Sequence, residues 1–462
     1  MSEFADSRSG LSARMAPVPH ADEAAGFSIA PFRCDITPPL GHALLGGWIE
    51  PARAIDDNLE AIGYVLLGAG APIVVCVLDW AGLLNEAHQR WRTTLALAAG
   101  TSPDRVAVHC VHQHNTPFVC PDARAAAARH ADLPEMYDLE FFERCLDRAA
   151  HALQNALPRH QPVTHVAHGE ARVNGVASNR RVDRGPDGRI QEMRLSSCTD
   201  PRLIALPDGT IDPMLQTIAY YAPDGRKIIA CHYYATHPMS YYRDGRVTSD
   251  FCGIARKRRQ AADPDCTHLY FTGCAGNISA GKYNDGSPAA RVTLTERIHA
   301  GMMAAEATLV PEPLTDVDWR TEHVLPPPLP LPTAAELEVA IADSQRSLAE
   351  RLVPAFRLGW LRRFEQGTPF VLSCLQLNTS SVVHLPGEMF IEYQLRARAL
   401  RRDGRVAVAA YGDDGLWYVP TKEEYPMGGY EVSAAFCGDD VDAIMTAAIE
   451  KLLKVESAPT RR

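Results

Sequence analysis

No two cysteines of the 462-residue chain stand in a C-x-x-C pair, although there are twelve, so neither a zinc ribbon nor a dithiol redox motif is spelled out. Most sit singly in apolar runs, as at Cys34, Cys76, Cys145 and Cys374, and read as reduced, buried thiols. No window reaches the roughly 18 consecutive apolar residues that a membrane-spanning helix needs. The polar stretch over 1–26 also lacks the apolar run of a secretory signal. A formal charge of -10, with both signs interspersed, leaves no basic stripe to neutralise phosphate backbones or anionic lipid. These absences set aside nucleic acid and a stable membrane anchor as partners. The expected setting is cytoplasmic, with 1–26 a disordered arm and 27–455 the working domain.

What is present is an α/β rhythm in a chain that is 46% hydrophobic and 22% charged. Strand-like runs at 72–80, 105–112, 163–173, 215–222, 227–236 and 268–273 alternate with helical patterns at 83–100, 137–156, after Ser249-Asp250 and at 290–307. Pro-Asp-Gly between two apolar runs at 222–225 closes an antiparallel hairpin. The fold class is therefore α/β, a mixed sheet flanked by helices in one large domain. No internal repeat is visible. A proline-rich and helical excursion over 324–367 reads as a lid or interface helix with Thr333 as its N-cap. The pattern then resumes with a strand hairpin at 371–388, a helix from about Glu388, a strand at 405–412 and a helix at 437–454.

Several segments carry chemistry. His109, His112 and His114 lie where an apolar strand gives way to VHQHNTP; the strand alternation aims His112 and His114 at one face, and His109 reads as structural. Cys110 and Cys120 flank this cluster as alternative metal ligands. His237 ends a second strand at Pro238, and α/β sheets place ligands at strand ends. Glu388 follows a Pro-Gly turn, where a carboxylate in a first helical turn suits either the helix dipole or a site. The segment 411–431 is dense in tyrosine, tryptophan and glycine, as a pocket wall would be. FTGCAGNISAGKYNDG, over 271–286, is a glycine-rich stretch after a strand that carries Ser279 and suits an anion or oxyanion site. SNRR, over 178–181, offers Arg180.

In this order the segments resemble the catalytic domain of the neutral/alkaline (non-lysosomal) ceramidase family. The resemblance runs from DITPP (35–39) to YEVSAAF (430–436) and is carried by HQHNTP, ATHPMS, LPGE, YVPTKEEY and GYE. It implies a hydrolase of linear amide bonds with one Zn²⁺ per chain held by His112, His237, Glu388 and Tyr418. It further implies His114, Arg180 and Tyr430 around the reacting carbonyl, with Ser279 at the family's nucleophile position. Two imidazoles, a carboxylate and a phenolate leave coordination room for water or a substrate oxygen. The expected function is hydrolysis of a small-molecule N-acyl substrate by metal-activated water or by Ser279. An esterase or lactonase on the same site, and a non-catalytic metal-binding homologue, remain the alternatives.

Overall fold

The computed structural model describes residues 26–401 and 405–454, so the arm expected over 1–26 falls, except for Gly26, outside the described residues. One run of elements recurs three times along the chain. It begins with three antiparallel strands, Ser28–Asp35 (β1), Glu60–Leu67 (β2) and Ile73–Leu78 (β3). A helix, Glu86–Ala99 (α1), then crosses over to Val106–Cys110 (β4), which pairs parallel to β3, and Leu139–Ala156 (α2) returns to pack on β1.

The second unit repeats this order with His165–Arg172 (β5), Met214–Tyr221 (β6), Lys227–Tyr234 (β7), Asp250–Ala262 (α3), Thr267–Thr272 (β8) and Pro288–Glu306 (α4). In the third, Val317–Val324 (β9) is separated from its partner by Ala334–Ala342 (α5) and Leu348–Glu365 (α6). Phe370–Leu377 (β10), Ser380–His384 (β11), the two-residue Glu388–Met389 (β12), Ile391–Leu400 (α7), Arg405–Ala409 (β13), Tyr418–Val419 (β14) and Asp440–Leu452 (α8) complete it. The three sheets run β4-β3-β2-β1, β8-β7-β6-β5 and β13-β11-β10-β9, and in each the strand named first is parallel to its neighbour. Gln161–Pro162 and Glu312–Pro313 extend the first two at the β1 and β5 edges.

The mixed α/β architecture read from the sequence is therefore present, but divided among three sheets. Each parallel strand needs a crossover helix, and the amphipathic stretches supply it. β3 is IVVCVL, buried throughout, as a strand covered on both faces should be. The 222–225 turn closes β6 and β7 as expected, with Gly225 at a φ of +82° and the Ala222 N–H donating to the Arg226 carbonyl at 2.9 Å. The excursion holds two helices rather than one long one. Thr333 caps the first, and Ser347 starts the second with its own capping box. No helix among the described residues is long and apolar enough to cross a membrane.

The sheets meet end to end. Cys110 N–H donates to the Tyr411 carbonyl at 2.8 Å, Ala410 N–H to Thr272 O at 2.9 Å, and the Thr272 hydroxyl to Val111 O at 2.7 Å. Histidines are buried in this core without charge. His109 donates through Nδ1 to Ala410 O at 2.8 Å, and His88 through Nε2 to Val108 O at 3.1 Å. Burial holds His88 and His268 down to about 4, and His109 and His168 down to about 3. In the unfolded chain these groups protonate near pH 6.5, so stability is complete above that value and is lost as pH falls toward 4. At pH 5 each should withdraw about 2 kcal/mol. Thermal melts of chelator-treated protein should therefore show the Tm falling steeply between pH 6.5 and 5; a flat profile would contradict neutral burial.

Candidate metal centre

The residues that follow the paired parallel strands converge on one point. His112 comes two residues after β4, His237 three after β7, Glu388 four after β11, and the 411–418 segment follows β13. His112 Nε2 lies 3.4 Å and His237 Nε2 3.1 Å from the same atom, Glu388 Oε2. Carbonyl oxygens fix the tautomers: His112 Nδ1 donates to Ala81 O at 2.6 Å and His237 Nδ1 to Ala275 O at 2.8 Å. A carbonyl only accepts, so Nδ1 carries a proton on each ring and Nε2 is the nitrogen turned toward Glu388.

Charge state sharpens the point. Burial, then the Arg180 guanidinium, pushes His237 down to about 4. Burial acts to raise Glu388, but His112 and His237 outweigh it and hold the carboxyl well below its usual range. Two imidazole Nε2 atoms thus face an anionic oxygen, and among the described residues neither His237 Nε2 nor Glu388 Oε2 has a hydrogen-bond partner. Two ring nitrogens and a carboxylate oxygen this close are a donor set that a divalent cation can bridge. A backbone carbonyl behind each ligating ring is the support that metal-binding histidines ordinarily have.

His114 completes a trio with His112 and His237 whose ring nitrogens lie within 4.8 Å of one another. Neither of its own nitrogens has a hydrogen-bond partner among the described residues, and burial followed by the two neighbouring rings keeps it neutral. The sequence argument placed His112 and His114 on one strand face. β4 in fact ends at Cys110, and His112 adopts a left-handed φ of +74°. The convergence is made by a kinked loop, not by strand alternation.

Glu388 and Tyr418 are directly opposed in the parallel ladder of β12 with β14. Glu388 is thus on a strand, and the helix expected from it starts three residues later at Ile391, because Gly387 and the ladder hold the chain extended. Burial, then Glu388, raises the Tyr418 hydroxyl well above its ordinary value, so it keeps its proton unless a cation replaces it. Arg180 is buried beside it and donates through Nη1 to Tyr418 Oη and Gly276 O, both at 3.2 Å, and through Nη2 to Ser196 Oγ at 3.3 Å. Tyr430 packs edge-on to Tyr418, ring centroids 5.5 Å apart, and is 51% exposed. Ser279 sits beside His237 through a β-bridge, its hydroxyl donating to Leu195 O at 3.1 Å. Cys110 and Cys120 lie outside the cluster.

Two contributors were not singled out in the sequence. Tyr411 stacks on His112 at 4.4 Å and reaches His237 Nδ1 at 3.3 Å; Asp414 is buried with both carboxylate oxygens unpartnered, 4.0 Å from His112 Nδ1. His112, Tyr411 and Trp417 all take left-handed backbone, at φ of +74°, +57° and +55°. Each costs about 1–3 kcal/mol, and such strain gathers at functional sites. Gly276 belongs to the same frame, because a Cβ there would overlap the Glu388 carbonyl oxygen. Gly276→Ala should cost about 1–3 kcal/mol of stability and displace Glu388. A lower Tm together with weaker metal binding is the expected result, and an unchanged pair of values would reject the contact.

A second grouping, His232, His268, Glu306 and Asp263, has metal-like spacing but is already neutralised. Lys227 and Arg259 both pair with Glu306 and with Asp263. A dication there would add two uncompensated buried charges, so the cluster is read as a structural network.

No protein-family model and no curated protein matches the sequence. Solved structures do. A neutral ceramidase from Pseudomonas aeruginosa superposes with a TM-score of 0.67 at 16% identity, over 93% of this chain and 74% of that one. A ceramidase complexed with C2 gives 0.66 at 16%, over 94% and 77%. The chain therefore has the neutral ceramidase fold, as the motif resemblance implied.

Proposed function

We propose that the protein is a metal-dependent amidohydrolase that cleaves the amide bond of a small N-acyl compound, with zinc as its ion. The observation that carries this reading is the pair of imidazole Nε2 atoms aimed at one carboxylate oxygen. His112, His237, Glu388 and Tyr418 form a nitrogen and oxygen donor set that suits zinc and leaves room for further ligands. When bound, the ion supplies positive charge that polarises a carbonyl oxygen and acidifies water. Amide chemistry comes from the likeness to the ceramidases.

The chain's own groups fit the remaining tasks. Arg180 holds a buried positive charge where negative charge develops on the carbonyl oxygen. Tyr430, pushed up to about 12 by burial and then by Glu388, stays a phenol and can donate a hydrogen bond to that oxygen. Neutral His114 offers a free ring nitrogen to take a proton from the attacking water and return it to the amine. Leu195, 49% exposed, and Tyr430 flank this region and offer an apolar rim to an acyl group. The Ser279 hydroxyl is engaged with Leu195 O and, among the described residues, has no imidazole as hydrogen-bond partner. Water is therefore the preferred nucleophile, and Ser279→Ala should keep kcat within about tenfold of the parent, since a lost positioning hydrogen bond is worth about 0.5–1.5 kcal/mol.

The test is a matched pair of substrates, one acyl group presented as an amide and as an ester, with metal content measured in the same sample. Amide turnover that disappears on chelation and returns with zinc supports the proposal. Ester turnover alone would redirect it to an esterase, and no bound metal would remove it.

A further inference from the structure

Arg180 and Arg181 are consecutive and point opposite ways. Arg180 reaches Tyr418, whereas Arg181, its side chain 1% exposed, turns toward the 424–431 segment. There it donates through Nε and Nη2 to Glu424 Oε2 at 2.9 and 2.7 Å, through Nη1 to Glu431 Oε2 at 2.9 Å, and through Nη2 to Gly428 O at 2.7 Å. Its guanidinium also lies over the Phe390 ring, 5.5 Å from the centroid, two residues past Glu388. Arg184 adds a second contact to Glu424 at 2.8 Å. The backbone is shaped to admit this fork: Gly429 sits at a φ of +92°, and a Cβ there would come within 2.6 Å of Arg181 Nη1.

Tyr430 lies between Gly429 and Glu431, so every Arg181 contact in this segment lies within six residues of it. Tyr430 itself is half exposed, and its own backbone N–H meets the weak acceptor Met193 Sδ, at 3.1 Å. A tyrosine on such a rim keeps one orientation only if the chain beneath it is held. We propose that Arg181 is a positioning residue for hydrolysis: it fastens the 424–431 segment so that the Tyr430 hydroxyl stands over the metal centre beside Tyr418. Its catalytic consequence rests on the amidohydrolase reading, but the fastening does not. One planar guanidinium spans two carboxylates and a carbonyl, which a single ammonium cannot do.

The test compares full-length Arg181→Met, Arg181→Lys and Glu431→Gln with the parent by hydrogen–deuterium exchange, elemental analysis and kinetics on the N-acyl amide. In Arg181→Met, protection over 422–433 should fall at least about tenfold, as loss of charge-assisted hydrogen bonds implies. Protection over 391–400 and the metal content should hold. kcat should drop by up to about a hundredfold with KM little changed, the cost of a group displaced by about 1 Å. Arg181→Lys should restore both only in part. If Arg181→Met does not fold, Glu431→Gln, which keeps volume and most of the fork, carries the same readouts with smaller changes. Unchanged exchange over 422–433 overturns the proposal, as does faster exchange with kcat intact, or loss of the metal. If the parent itself turns over no amide, that failure belongs to the proposed function, and the exchange data alone judge the fastening.

Discussion

His237→Ala is expected to yield a folded protein that has lost its ion and, with it, amide turnover. The imidazole is fully buried, its Nδ1 is committed to Ala275 O, and its Nε2 is the group nearest Glu388 Oε2, at 3.1 Å. Replacement removes a donor and leaves Glu388 as a buried carboxylate with one imidazole neighbour fewer. Disturbing a partner behind a ligand typically weakens metal binding about 10- to 100-fold, so deleting the ligand should cost at least about a hundredfold. Elemental analysis of parent and variant purified side by side decides it: near one ion per chain in the parent and a few hundredths in the variant. Equal occupancy would mean that the ion, if any, lies elsewhere.

Arg180→Met should separate binding of the ion from chemistry. The substitution keeps much of the side-chain volume while removing three donated hydrogen bonds and a buried positive charge. A guanidinium beside a cation site opposes the cation, so metal occupancy should hold or rise. kcat should fall by about 10²–10³, the usual loss when a donor to a developing oxyanion is removed, with KM little altered. The charge of Arg180 is itself secured: burial works against it, but Tyr418 and Glu431 outweigh burial and keep the group protonated. An undiminished kcat would place the oxyanion elsewhere, and loss of the ion would make Arg180 part of the scaffold of the ligands.

How much of this was legible in the sequence follows from the range of each signal. The 222–225 turn and the Thr333 cap depend on neighbours a few residues away, and they are where the pattern put them, whereas several strands stop two or three residues earlier than the apolar runs suggest. His112, His114 and His237 were visible because each interrupts an apolar run, and the structure brings them together. The threefold recurrence was not visible, because it lies in the order of connection and not in repeated residues. Nor was the reason that His112 and His114 meet, since a left-handed φ at a histidine leaves no periodic trace. Glu388 was found but placed in a helix, because the backbone partner that holds it extended lies thirty residues further on. Tyr411 and Asp414 sit in a segment whose aromatic density was noticed. Nothing local distinguishes a tyrosine stacked on a ligand from one that merely fills the wall.

The pairing of Glu388 with Tyr418 sets where this protein can change length. Both side chains project from the same side of a ladder only two residues deep, and side chains on a strand alternate sides at every step. Inserting or deleting one residue inside 388–389 or 418–419 would turn a donor through half a revolution, away from its companions. The stretch between them passes through α7 and β13 before returning, so the two short strands are brought together by elements well apart in sequence. The metal centre thus fixes the length of the chain at these two short strands, where a single added or lost residue should abolish ion binding.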